Sequence, residues 1–98
     1  MKTKVIFKII EGEVIALFPE LAGDMNPHKT CLSYQHVGEH DCASVELASL
    51  KAATPIQYAS LKVELEQRGY DLEIVKKFSR KMLQARIADC EVTNENSV

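Results

Sequence analysis

The chain has no tryptophan, and phenylalanine and tyrosine occur only three times each. With so few rings, a hydrophobic core has to be built mainly from aliphatic side chains. Long apolar runs are lacking as well. After Met1-Lys2-Thr3-Lys4 only Val5, Ile6 and Phe7 precede Lys8, whereas a secretory leader needs roughly 7–15 consecutive apolar residues. The longest uncharged apolar run elsewhere, Val14 to Pro19, falls far short of the roughly 20 residues that span a bilayer. These absences predict a cytoplasmic protein with no membrane partner. Glycine is sparse: Gly12, Gly23, Gly38 and Gly69 are too dispersed for a phosphate-binding loop or a dinucleotide fingerprint. Cysteine is present as an odd set, Cys31, Cys42 and Cys90, which argues against a disulfide framework.

Ninety-eight residues, 46% hydrophobic and 27% charged, suit one globular core. The predicted domain covers residues 1–92, followed by a disordered polar tail over 93–98. The net charge of −2 is unevenly spread. Residues 76–86 hold Lys76, Lys77, Arg80, Lys81 and Arg86 without an acid, between segments that are both net acidic.

Residues 3–10 and 13–18 are rich in β-branched residues and flank Glu11-Gly12, a turn signal, so they read as a hairpin. Residues 21–29 carry Gly23, Asp24, Asn26 and Pro27 and read as a loop. Residues 30–36 alternate in polarity and read as a third strand, and residues 37–44 as a further loop. Residues 45–53 fit either a helical turn or an irregular connection. Thr54, Pro55 and Gln57 form a helix start with a capping box. Tyr58, Leu61 and Leu65 then fall on one helical face, and Gly69 is the stop. Residues 70–75 read as a fourth strand. Phe78, Met82 and Ala85 mark a second helix over roughly 77–90. The order β-β-β-α-β-α predicts an α+β fold, a small antiparallel sheet with both helices on one face.

Three runs carry a resemblance: Glu13 to Glu20, Ser33 to His40, and Ala53-Thr54-Pro55 leading through Tyr58, Leu61 and Leu65 to Gly69-Tyr70. They resemble a group of small uncharacterised bacterial proteins of conjugative elements and phage, over nearly the whole chain. The resemblance implies a mobile-element accessory protein. It transfers no activity and no site residue.

Two constellations stand out. Cys31, His36, His40 and Cys42 offer zinc-type donors within twelve positions. Their spacing, Cys-x4-His-x3-His-x-Cys, is not a usual finger spacing, and on a straight strand Cys31 and His36 face opposite ways. The expectation is therefore no bound metal, with these four as the ligands if any. Cysteine–histidine nucleophilic catalysis from the same set lacks a family-type signature. No motif requires a cofactor. The second constellation is the basic run Lys76, Lys77, Arg80, Lys81 and Arg86. It fits a partner-binding face, with Arg80 and Arg86 as the main polar contacts because guanidinium pairs bidentately with carboxylate and phosphate. Like charges at Lys76/Arg80 and Lys77/Lys81 in one helix would repel, so an anionic partner would relieve them. The leading expectation is a non-enzymatic accessory or adaptor acting by protein–protein binding. A nucleic-acid-binding accessory using the basic helix, and a zinc-binding module using the Cys/His loop, are the alternatives.

Overall fold

The computed structural model describes residues 2–36 and 40–96, with side chains through Glu91. These residues form an α+β fold: strands β1 (Thr3–Ile10), β2 (Glu13–Phe18), β3 (Thr30–Tyr34) and β4 (His40–Ser44), a 3-10 helix (Val45–Ser49), α1 (Pro55–Gln67), β5 (Leu72–Ile74) and α2 (Arg80–Asn96). The sheet order is β4-β3-β2-β1-β5.

The β1–β2 hairpin closes through a two-residue turn, with Ile10 opposite Glu13. Glu11 and Gly12 both take positive φ, 51° and 81°, the geometry whose twist matches the flanking strands. β2, β3 and β4 continue antiparallel. β5 differs: it lies parallel to β1, with Thr3 opposite Leu72 and Val5 opposite Ile74. The sheet is therefore mixed rather than antiparallel throughout. The cause is the connection, since α1 carries the chain over the sheet before β5 joins it, and a crossover of this kind yields parallel pairing.

The two helices also take opposite faces, where the sequence suggested one. Residues 5–8 and 15–19 are buried without interruption, so β1 and β2 present apolar groups both ways. On one face Val5, Phe7, Ala16, Phe18 and Tyr34 pack against Leu61 and Leu65 of α1. On the other, Ile6, Ile15, Leu17, Cys31 and Ala43 pack against Val45 and Leu47 of the 3-10 helix and against Val75 and Phe78, which lead into α2.

β4 replaces the expected loop over 40–44; residues 37–39 of that loop lie outside the described residues. His-Asp-Cys-Ala-Ser carries no β-branched signal because only Ala43 of this edge strand is buried. Such polarity is how edge strands are protected. Ser79 Oγ accepts from Met82 N at 3.3 Å and sets the start of α2 at Arg80, later than residue 77. The helix continues to Asn96, past the expected end near residue 90; residues 97–98 lie outside the described residues.

α1 follows its sequence signals closely. Thr54 Oγ1 accepts from Gln57 N at 3.3 Å, and Gln57 Oε1 accepts from Thr54 N at 2.9 Å. At the other end Gly69 sits at φ 103°, Gly69 N donates to Glu66 O, and Tyr70 N donates to Leu65 O. This is a Schellman closure, with Leu65 and Tyr70 in the same apolar cluster. Tyr58 stacks on Phe7 at 4.4 Å between centroids, and Tyr70 stacks on Phe18 at 5.1 Å.

Removing the cap and removing core volume should be separable in urea melts. Thr54→Ala is expected to cost about 1 kcal/mol. Leu61→Ala or Leu65→Ala, both fully buried, should cost about 2–5 kcal/mol through the cavity left behind. A cap loss exceeding both core truncations would contradict this packing.

Candidate functional site

The basic run does not form one surface. Lys76 and Lys77 lie in the connection before α2, so their expected i, i+4 repulsion with Arg80 and Lys81 inside a helix does not arise. Lys81 is exposed, and Arg80 opens α2. Arg86 is 3% exposed, so it does not stand out on a surface with the other four. Its Nε donates to Pro27 O at 2.6 Å and its Nη1 to Pro19 O. Its guanidinium lies 5.3 Å from the centre of the Phe78 ring. Burial holds it below the usual arginine range, partly offset by Cys31. Arg86 thus has an architectural role: it satisfies two carbonyls of the 19–29 loop and fastens that loop to α2. Asp89 Oδ2 adds to the fastening by accepting from Ala22 N at 2.8 Å.

The four Cys/His candidates are dispersed. Cys31 is fully buried beneath α2, and burial pushes its thiol up to about 11. The Cys42 thiol donates to Asp24 Oδ2 at 3.1 Å. Burial raises it first, and the carboxylates of Asp24 and Asp41 add to that. Neither environment favours a thiolate. Both histidines instead face α1 and its end. His40 Nε2 lies 2.6 Å from Tyr70 Oη. Among the described residues, no group of three or more metal-ligating side chains converges.

His36 has an arrangement the sequence did not signal. Its Nδ1 lies 3.0 Å from Glu64 Oε1, and its Nε2 lies 3.2 Å from Ser60 Oγ. The order Ser–His–Glu matches a nucleophile, a base and an orienting acid. Ser60 and Glu64, however, are one turn apart inside α1, where backbone N–H groups are spent on the helix and supply no oxyanion donors. The arrangement is a clasp that ties the chain after β3 to α1. Tyr34 extends it. The Tyr34 hydroxyl and Glu64 Oε2 are both buried without a well-formed hydrogen bond, yet Glu64 raises Tyr34 and Tyr34 lowers Glu64. We read them as one poorly aligned pair rather than two orphaned groups. Arg68 lies over the Tyr34 ring at 5.0 Å.

A different feature carries more functional content. The outer side of β1 is covered by two short pieces. β5 takes Thr3 to Val5, and the segment before α1 takes the far end, with Ala53 N donating to Phe7 O and Ile9 N to Lys51 O. Between them lies a trough of about 510 Å³ lined by Ile6, Phe7, Ala53, Tyr58, Ile74 and Val75, with Lys8 and Lys76 on its wall. Lys8 is 7% exposed. Among the described residues its ammonium meets neither a hydrogen-bond nor an ion-pair partner. What is buried is the aliphatic stem: the ammonium keeps contact with solvent at the trough, as lysine heads do when their stems cover apolar surface. One sequence cue existed: Lys8 shares strand parity with Ile6 and Ile10, which puts it on an apolar face.

Replacing Arg86 should separate fastening from surface charge. Arg86→Met, which strands two buried carbonyls, is expected to cost about 2–4 kcal/mol. Arg86→Lys should also destabilise, because one ammonium does not reproduce the guanidinium fork. Arg80→Ala should stay within about 0.5 kcal/mol of the parent. Chemical denaturation of the three variants checks this, and equal effects at 80 and 86 would contradict it.

No family model, curated protein or solved structure matches the chain.

Proposed function

We propose that the protein is a non-enzymatic accessory protein that acts by binding another protein, and that the trough beside β1 receives a segment of the partner in which aliphatic side chains alternate with carboxylates. The observation that carries this reading is Lys8: its stem is buried on the wall of an apolar trough, and its ammonium stands there without a counter-charge among the described residues. Lys76 lines the same trough, and Lys51 and Lys77 are exposed immediate neighbours in the chain. At its margins Ile74 is 39% exposed, and Ile56, next to the lining residue Pro55, is 91% exposed. An apolar floor with a lysine rim complements an acidic, aliphatic segment in both respects.

The nucleic-acid reading draws less support. Of the five basic residues behind it, Arg86 is buried and Lys76 belongs to the trough. Arg80 lines a separate cavity, so no continuous stripe is left to follow a phosphate backbone. The resemblance to small proteins of conjugative elements and phage fits an accessory role. A cytoplasmic location belongs to the same proposal and is supported by three free cysteines. No helix among the described residues is long and apolar enough to cross a membrane.

Photo-crosslinking in cells that express the protein tests the reading. A crosslinking residue at Ile74 or Ile56 should capture one discrete protein with an acidic segment. The same residue at Met25, 74% exposed on the 19–29 loop, should not. Lys8→Glu with Lys76→Glu should reduce the adduct about tenfold or more, since facing like charges costs several kcal/mol. Identical products from all three positions, or adducts indifferent to charge reversal, would overturn the proposal.

A further inference from the structure

A second cavity, of about 390 Å³, opens between the 3-10 helix and the start of α2. Its walls are Val45, Ala48, Phe78 and Leu83, and its polar groups include Arg80 and Arg86. The geometry points to a ligand site for a small organic monoanion here, a carboxylate on an aliphatic or aryl body.

Arg86 is the main reason. It is 3% exposed, and among the described residues no carboxylate pairs with it. Two of its N–H groups go to the Pro27 and Pro19 carbonyls. Neutral carbonyls satisfy hydrogen-bonding capacity but leave the net charge uncompensated, and a guanidinium carries five donors. A side chain whose positive charge is uncompensated therefore lines a cavity whose other walls are mostly hydrocarbon. Arg80 stands at the same cavity as an exposed residue, and α2 carries no acid in its first turn. Two arginines facing one anion in a poorly hydrated setting hold it more strongly than surface lysines do, because guanidinium–carboxylate contacts are bidentate and charge-assisted. The apolar walls select the body of the ligand: an inorganic anion would leave Phe78 and Leu83 wet, and a neutral hydrocarbon would leave both charges unmet. The site lies on the sheet face opposite α1 and does not depend on the trough reading.

Calorimetric titration of the intact protein tests the inference with a small panel: benzoate and octanoate, their uncharged counterparts benzyl alcohol and octanol, and acetate and inorganic phosphate. Benzoate or octanoate should bind saturably at one site. The alcohols and the bodiless anions should each bind roughly tenfold or more weakly. Arg80→Gln, which touches no core contact, should weaken the carboxylate by a similar factor while the melting temperature holds. Ala48→Phe, which fills the cavity, should abolish binding. Equal affinity for alcohol and acid would reduce the cavity to an apolar dent, and equal affinity for acetate or phosphate would reduce it to surface charge. Unchanged affinity in Arg80→Gln would overturn the assignment even if Ala48→Phe fails to fold.

Discussion

The structure follows from one constraint: the β1–β2 hairpin is apolar on both faces and must be covered twice. Val5 and Phe7 look one way and Ile6 the other, and in β2 Ala16 and Phe18 oppose Ile15 and Leu17. α1 meets the first face through Leu61 and Leu65, neither of which exposes any surface. The second face is left to a 3-10 helix, the connection through Val75 and Phe78, and α2. These pieces meet at seams rather than forming one continuous layer. Both functional proposals arise at seams, one beside β1 and one between the 3-10 helix and α2. At each, a basic residue with a buried stem stands without a carboxylate among the described residues.

Arg86 shows how one side chain serves two ends. The 19–29 loop must turn back between β2 and β3, and its carbonyls at Pro19 and Pro27 lie inside. A guanidinium can satisfy both from one position because its donors diverge in a rigid plane. α2 thereby becomes attached to a loop nearly sixty residues earlier in the chain. The same residue lies over Phe78 and lines the cavity that Arg80 also borders.

The elements with strong local signals were legible in the sequence. The Glu11-Gly12 hairpin, the Thr54 capping box and the Gly69 stop each rest on a few residues with a defined backbone demand, and each stands where the sequence put it. β4 was illegible because an edge strand is kept polar. The parallel placement of β5 depends on the path of α1, which local propensity does not encode. For the candidate sites the difficulty was one of depth. A run of five cations reads as a surface on composition alone, yet helix phase and the demands of a distant loop bury Arg86. Lys8 gave the opposite error: it was read as the charge that interrupts an apolar run, when its parity with Ile6 and Ile10 placed it among them.

The central claim is that Lys8 is kept for a partner and not for the fold. The stability of Lys8→Met measures this directly. With no hydrogen-bond or ion-pair partner among the described residues, the ammonium does not hold the fold together, and Lys8→Met retains the apolar stem that lines the trough. The account predicts that equilibrium denaturation of Lys8→Met gives a midpoint equal to or above that of the parent, with an unchanged dependence on denaturant. A clearly lowered midpoint would mean that the ammonium is held by the folded chain itself, and would contradict the account.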